Sequence, residues 1–412
     1  MAARRFSGAA YLMIGVTVFL VLGGLMMIYS ASSVAAYVQE GDSAHYLLRQ
    51  ARWAVAGALA LWLLSRWDLR GRVGVLAPRL VAWAVWGASV AGLIAVKFVG
   101  VGKWGATRWL SLGPIAIQPS EYAKLGCILV TAVLLAAWRR HEIEDKQLLL
   151  YLTGAVGLVG ALVMLQPDMG TTVSIVISVF VLLWLGGVRA SIVGGIGLFG
   201  VSLAALMVAV EGYRMERITA FLDPWADPLG SGYQIIQSTY AFGSGGLSGV
   251  GLGLSRQKFF YLPAAHTDFI FAIIGEELGL IGTLAVVVAF ALFAYAGFRI
   301  ALDCKEPFGR MLAGGLTAMV VVQALLNMAA VTGLMPITGI PLPLVSYGGS
   351  SLTFTLGCIG LILAVARFPG TAARAGGTGR GSGRAGSHER RRNRRSHLSS
   401  IDGGRGDQRR RA

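Results

Sequence analysis

FIFAIIGEELGLIGTLAVVVAFALF, residues 269–293, is a nearly continuous apolar run broken by one adjacent pair of acids, Glu276 and Glu277. About 20 mainly apolar residues cross the hydrocarbon of a bilayer as a helix. Lipid enforces the helix because it offers unpaired backbone groups no partner. The stretch therefore reads as a transmembrane span, and the pattern recurs. Windows of about 19 residues mark further spans near Tyr11–Ala31, Ala51–Ser65, Leu80–Val99, Tyr122–Trp138, Leu148–Leu165, Thr171–Leu185, Ile192–Val210, Met311–Val331 and Leu352–Ala366. The expected fold is all-α and polytopic, with about ten transmembrane helices.

Composition agrees. Hydrophobic residues make up 55% of the 412-residue chain and charged residues 14%, at a mean hydropathy of +0.66. A soluble globule carries about a quarter charged residues. Cys127, Cys304 and Cys358 show no C-x-x-C spacing, so neither a zinc site nor a disulfide framework is suggested. Arg4 and Arg5 ahead of an apolar run, with small residues at 31–36, imitate a secretory signal. The run from Tyr11 is longer than a signal core and more spans follow, so it is expected to stay as the first helix.

Basic residues crowd alternate links: Arg66, Arg70, Arg72 and Arg79; Arg139, Arg140 and Lys146; Arg189; and Arg299, Lys305 and Arg310. The positive-inside rule then places residues 1–10 and these links in the cytoplasm. An even number of spans returns the C-terminus there. Arg49, Arg52, Lys97, Lys103 and Arg108 fall outside against the rule, which asks for a functional reason. The membrane domain is expected over 11–368, with its longest outer link at 211–268. Connections of that length are either functional or disordered, and the aromatics and prolines here favour an ordered, lid-like segment. The tail 369–412 is rich in Gly, Ser and Arg and holds about nine of the +16 net charges. It cannot bury enough apolar surface to fold. Its charge suits anionic lipid head groups, and no aromatics interleave its arginines as nucleic-acid binding would want.

Ionisable residues at membrane depth are costly, so each needs a reason. Asp268 stands at the outer mouth of span eight, where it either caps the helix or accepts a proton from a sugar hydroxyl. Glu276 and Glu277 lie about 12–14 Å deeper at 1.5 Å per residue; they pack between helices or form a proton path. Glu121 and Lys124, three residues apart, share a helix face. They form a mutual ion pair or, with Arg108, line a cavity for anionic phosphate. Asp168, in Gln166-Pro167-Asp168-Met169-Gly170, caps the next helix or adds a second acid to the same cavity. The run 341–351, with Ser346 and Ser350, is non-helical backbone, tolerated near the membrane where it lines a cavity.

Taken together, Arg108–Lys124, Gln166-Pro167-Asp168, Phe221-Leu222-Asp223-Pro224, His266-Thr267-Asp268-Phe269-Ile270-Phe271 and Ser346-Tyr347-Gly348-Gly349-Ser350-Ser351 resemble the SEDS family (shape, elongation, division and sporulation). The resemblance covers about Tyr11 to Ala366. Gly251–Lys258 ahead of Tyr261-Leu262-Pro263, and Ile28–Ser33, look like the division member rather than the elongation paralogue. The family implies a peptidoglycan glycosyltransferase that polymerises lipid II at the outer face of the cytoplasmic membrane, at the septum, with Asp268 as catalytic base. It implies a substrate cavity, for which Arg108, Lys124, Arg214, Arg217 and Lys258 are the candidate cations. Glu121, Asp168, His266, Ser346 and Ser350 are its further candidate lining. A divalent cation such as Mg or Mn would assist the leaving pyrophosphate, although no motif demands one. The implied partners are a class B penicillin-binding protein, which is a septal transpeptidase, and other divisome proteins. Two rival readings are a lipid II flippase, for which Glu276 and Glu277 would supply the route, and a non-catalytic divisome scaffold.

Overall fold

The computed structural model describes residues 7–67, 76–103, 106–112, 115–195, 197 and 212–367. Its helices are α1 Gly8–Glu40, α2 His45–Ser65, α3 Leu76–Val99, α4 Pro119–Arg139, α5 Asp145–Met164, α6 Met169–Gly186, α7 Gly212–Leu222, α8 Tyr233–Gly245, α9 Ile270–Asp303, α10 Pro307–Val331 and α11 Gly349–Arg367. Eight of them (α1, α3 to α6 and α9 to α11) are long and apolar enough to cross a membrane. The 21-residue α2 matches them in length and carries Arg49 and Arg52 in its first turns. Most of the expected span Ile192–Val210, and the basic tail 369–412, lie outside the described residues.

Local chemistry sets the helix ends. Pro119 and Pro307 occupy first turns, where the missing N–H has no partner to lose. The Glu306 carboxylate caps α10 by accepting from the Phe308 and Gly309 amides. Between α3 and α4 the chain forms three short antiparallel strands, β1 Val101–Lys103, β2 Ala106–Leu112 and β3 Ile115–Ile117, in the order β1-β2-β3. This sheet is a small addition to the all-α expectation. Its middle strand carries Arg108.

Helices α4 and α10 form the centre. α4 packs against α3, α5, α6 and α10, and α10 packs against α4, α6, α9 and α11. α2 runs along α11, and α1 along α9. Two expected boundaries were too short. α1 continues from Ala31 to Glu40, roughly 14 Å further, and α9 continues from Phe293 to Asp303.

α9 is also not one helix. Gly279 has φ 66° and ψ −160°, which breaks it after Leu278. The carbonyls of Glu276 and Glu277 accept instead from the amides of Val250 and Gly251, at 2.9 and 3.1 Å. On the far side of the break, the Leu280 and Ile281 amides donate to the carbonyls of Gly246 and Leu247. The segment 245–251 of the long outer link thus fills the gap and satisfies the freed backbone groups, which lipid would leave unpaired. The link 211–268 is ordered where described, carrying α7, a 3₁₀ turn at Pro224–Ala226 and α8.

A Cβ on Gly279 would stand 2.4 Å from the Gly249 amide nitrogen, in backbone that L residues rarely adopt. Gly279→Ala is therefore expected to cost at least about 1–3 kcal/mol, read as a lowered thermal midpoint in detergent. Gly23→Ala, where nothing lies within 4 Å, should leave the midpoint unchanged. Equal midpoints for both variants would remove the stitched break as a structural requirement.

Candidate active site

Asp268 ends the outer link one residue before the N-cap of α9. That cap is Phe269, and it makes no side-chain capping bond. The tight turn 264–269 is held by the Thr267 and Phe269 amides, both donating to the Ala264 carbonyl. Helix capping therefore does not account for Asp268. Among the described residues its carboxylate accepts no hydrogen bond, and it is partly buried.

Its surroundings come from four segments. The strap 335–346, between α10 and α11, passes beside it: a Cβ on Gly339 would lie 3.9 Å from both Asp268 Oδ2 and Arg217 Nη1. Arg217, half-buried on α7, donates from Nη1 to the Ile337 carbonyl of the same strap at 2.8 Å. Arg108, half-buried on β2, grips the α5–α6 turn, donating to the carbonyls of Gln166 at 3.0 Å and Pro167 at 2.5 Å. That turn presents Asp168, the N-cap of α6. Its two oxygens accept from the Thr171 amide at 3.2 Å and the Thr171 hydroxyl at 2.9 Å.

Burial pushes the Asp268 carboxyl up to about 6; Arg217 opposes the rise, Asp168 adds to it and Arg108 opposes it. The result is a carboxylate poised to exchange a proton near neutral pH, facing two guanidinium groups. A general base works best with a pKa close to the operating pH.

Beneath the strap lies a buried polar row. Lys124 Nζ donates to Glu121 Oε1 at 2.8 Å and to Gln323 Oε1 at 2.5 Å. Gln323 Nε2 in turn donates to the Pro341 carbonyl at 3.0 Å. One turn further along α10, Asn327 Nδ2 donates to the carbonyls of Asp268 and Ile340, both at 2.8 Å. Glu121 and Lys124 are the mutual ion pair that their spacing allows. Sequence reading missed Gln323 and Asn327. The available signal was two amides four residues apart inside an otherwise apolar span.

The remaining candidates fall elsewhere. Lys258 is buried beside Glu277, 3.8 Å from its Oε1, and donates to the Gly253 carbonyl. Its charge is committed within the loop and not to the group around Asp268. His266 packs at a tilt on Tyr46 and edge-on against Tyr347, at ring separations of 4.9 and 5.6 Å. Burial pushes its imidazole down to about 4, so it is neutral at physiological pH. Ser346 Oγ accepts from the Leu342 amide at 2.8 Å and shapes the strap. Ser350 is half-buried in the first turn of α11. The side chain of Arg214 lies outside the described residues.

Glu276 and Glu277 have local partners. Both oxygens of Glu277 accept from the Ser30 hydroxyl on α1, at 2.6 and 2.7 Å. Glu276 accepts from the Ser255 hydroxyl and from the amides of Arg256 and Gln257. Among the described residues no group of three or more His, Cys, Asp or Glu is placed to hold a metal ion. Both oxygens of Asp168 accept from Thr171.

A family model described as "Cell cycle protein", named for FtsW, RodA and SpoVE, matches residues 10–370. Stage V sporulation protein E of Bacillus subtilis (strain 168) is 39% identical over 364 residues, 87% of this chain and 96% of that protein. A protein named probable peptidoglycan glycosyltransferase FtsW, from Nitrosococcus halophilus (strain Nc4), is 40% identical over 376 residues, 88% of this chain and 94% of that one. Among solved structures, a chain from work on structural coordination of polymerization and crosslinking by a peptidoglycan synthase complex superposes with a TM-score of 0.68. It is 31% identical, covering 88% of this chain and 98% of that chain. The rod shape determining protein RodA of Thermus thermophilus superposes at 0.63 with 28% identity, covering 87% and 97%.

A carboxyl raised in the folded state holds its proton more tightly there than in the unfolded chain. Its contribution to stability is therefore favourable at low pH and is lost as pH rises through the folded value. Asp268→Asn should accordingly melt at or above wild type at pH 7.5. The difference should shrink as pH falls from about 6 toward the ordinary value of 3.8. A midpoint well below wild type at pH 7.5 would instead make the ionised carboxylate a structural support.

Proposed function

Because the chain belongs to the FtsW/RodA/SpoVE family of cell cycle proteins, we propose that the group around Asp268 is the reaction centre of a lipid II polymerase. The protein is a multi-pass membrane peptidoglycan glycosyltransferase acting in cell-wall synthesis. The observation that supports the site assignment is a partly buried carboxylate that accepts no hydrogen bond among the described residues, flanked by Arg217 and Arg108.

In this reading Asp268 takes the proton from the 4-hydroxyl of the acceptor's GlcNAc. The freed oxygen bonds to the anomeric carbon of the growing chain. The bond from that carbon to the pyrophosphate oxygen breaks, and undecaprenyl pyrophosphate leaves with the electron pair. Its developing charge needs preorganised positive partners, which Arg217 and Arg108 supply. Arg108 uses two of its five N–H groups on the Gln166 and Pro167 carbonyls, and in this reading the others meet phosphate oxygens. The neutral pair Glu121–Lys124 and the capped Asp168 shape the cavity. His266, Ser346 and Ser350 build its wall.

The relatives include both a sporulation protein and FtsW. We assign this chain to septal synthesis on Gly251–Lys258 and Ile28–Ser33, with a class B penicillin-binding protein as its cross-linking partner. The basic links put both termini in the cytoplasm and Asp268 on the outer side. The flippase reading drew its support from Glu276 and Glu277. Both are bound by Ser30, Ser255, loop amides and Lys258, which favours the polymerase.

The test is glycan-strand formation from labelled lipid II, with the cognate transpeptidase present. Asp268→Asn should lose at least about a hundredfold in rate. Wild-type activity should fall about tenfold per pH unit below the Asp268 midpoint near 6. Equal ladders from both proteins would remove Asp268 as the base. Lipid II translocation in vesicles with no ladder from wild type would restore the flippase.

A further inference from the structure

Asn327 is 2% exposed near the C-terminal end of the apolar helix α10, and nothing in the reaction described above uses it. Both groups that its amide touches are backbone carbonyls, those of Asp268 and Ile340. An amide facing two acceptors must present its nitrogen to both, so Asn327 works as a double donor. The two carbonyls belong to different segments. One is the turn that ends in Asp268; the other is the strap whose Ile337 carbonyl holds Arg217 and whose Gly339 lies beside both side chains.

We propose that Asn327 is a positioning residue for the reaction: by joining the Asp268 turn to the strap, it fixes the distance between the Asp268 carboxylate and the Arg217 guanidinium. Gln323 repeats the device one turn away, joining Lys124 to the Pro341 carbonyl of the same strap. One face of α10 thus sets the spacing of base and cations. Without Asn327 the turn and the strap part, water reaches the carboxylate, and the geometry of attack loosens.

This rests on the polymerase reading for its kinetic consequence but not for its structural one. Among the described residues the charged groups that act on Asp268 are Arg217 from α7, Arg108 from β2 and Asp168 from the α5–α6 turn, while His266, two residues before it, is titratable but neutral. α10 contributes a neutral amide, and the strap beside it contributes Ile337, Gly339 and Ile340, none of which titrates. Loosening the turn relieves the burial that raises Asp268, so its titration should move down from about 6 toward the ordinary carboxylate value.

The experiment compares wild type with Asn327→Leu, which keeps bulk and removes both donors, and Asn327→Ser, which keeps one short donor. In strand formation with the transpeptidase present, kcat should fall roughly ten- to a hundredfold in the Leu variant and less in the Ser variant. KM for lipid II should stay within about twofold, because displacing the base weakens the chemical step and leaves ground-state binding in place. The acid limb of the pH profile should shift downward. A loss that merely follows the folded fraction, with the limb unmoved, overturns the proposal, as does full kcat in the Leu variant. Should the Leu variant aggregate, the Ser variant is judged by the same limb.

The midpoint of Asp268 is also read without turnover, by infrared titration of the carboxyl band that Asp268→Asn removes. A midpoint shifted by Asn327→Ser upholds the positioning role even if wild type forms no strands. An unshifted one overturns it even if wild type does.

Discussion

Inside a bilayer every peptide group must find its hydrogen bond within the protein, and this constraint governs the parts of the fold that are not plain helix. Where α9 breaks at Gly279, the carbonyls and amides on the two sides are taken up by residues 245–251. Where the chain leaves α10 and runs irregularly to α11, Gln323 and Asn327 donate to the carbonyls of Pro341 and Ile340. Both devices satisfy non-helical backbone, and the second lies beside Asp268. The strap beside Asp268 is irregular backbone held in this way.

The charges follow the same economy. Glu121 is matched by Lys124, and Glu277 by Lys258 and Ser30. Asp168 is satisfied by Thr171. Asp268 differs: no donor reaches its carboxylate among the described residues, and burial raises its titration to about 6 against the opposing pull of two arginines. A carboxylate left in that condition is destabilising unless a ligand or a reaction makes use of it. Arg108 and Arg217 are fixed by backbone carbonyls, so their position does not depend on the aspartate.

Much of this was legible in the sequence, because hydropathy and proline placement act locally. The spans beginning near Pro119 and Pro307, and the turn at Gln166-Pro167-Asp168, fall close to where reading placed them. Asp268 was legible as an acid at a helix mouth. The lengths of α1 and α9 were not, since each carries on past the run that hydropathy marks. The break at Gly279 was hidden because glycine is ordinary in membrane helices, and only the approach of Leu247 and Gly249 makes it obligatory. Lys258 read as a cation for substrate because its partner, Glu277, is joined to it only by the fold. Asn327 was passed over because a single buried amide carries no charge to draw attention.

The bond between Ser30 and Glu277 has a consequence for how the chain is made. The two residues are 247 positions apart. At a synthesis rate of about 5–20 residues per second, α1 waits roughly 12–50 s on the ribosome's clock before its acidic neighbour is translated. The loop that cages Glu276 emerges only some twenty residues ahead of it. Glu277 therefore meets its α1 partner only after most of the membrane helices that lie between them have been made.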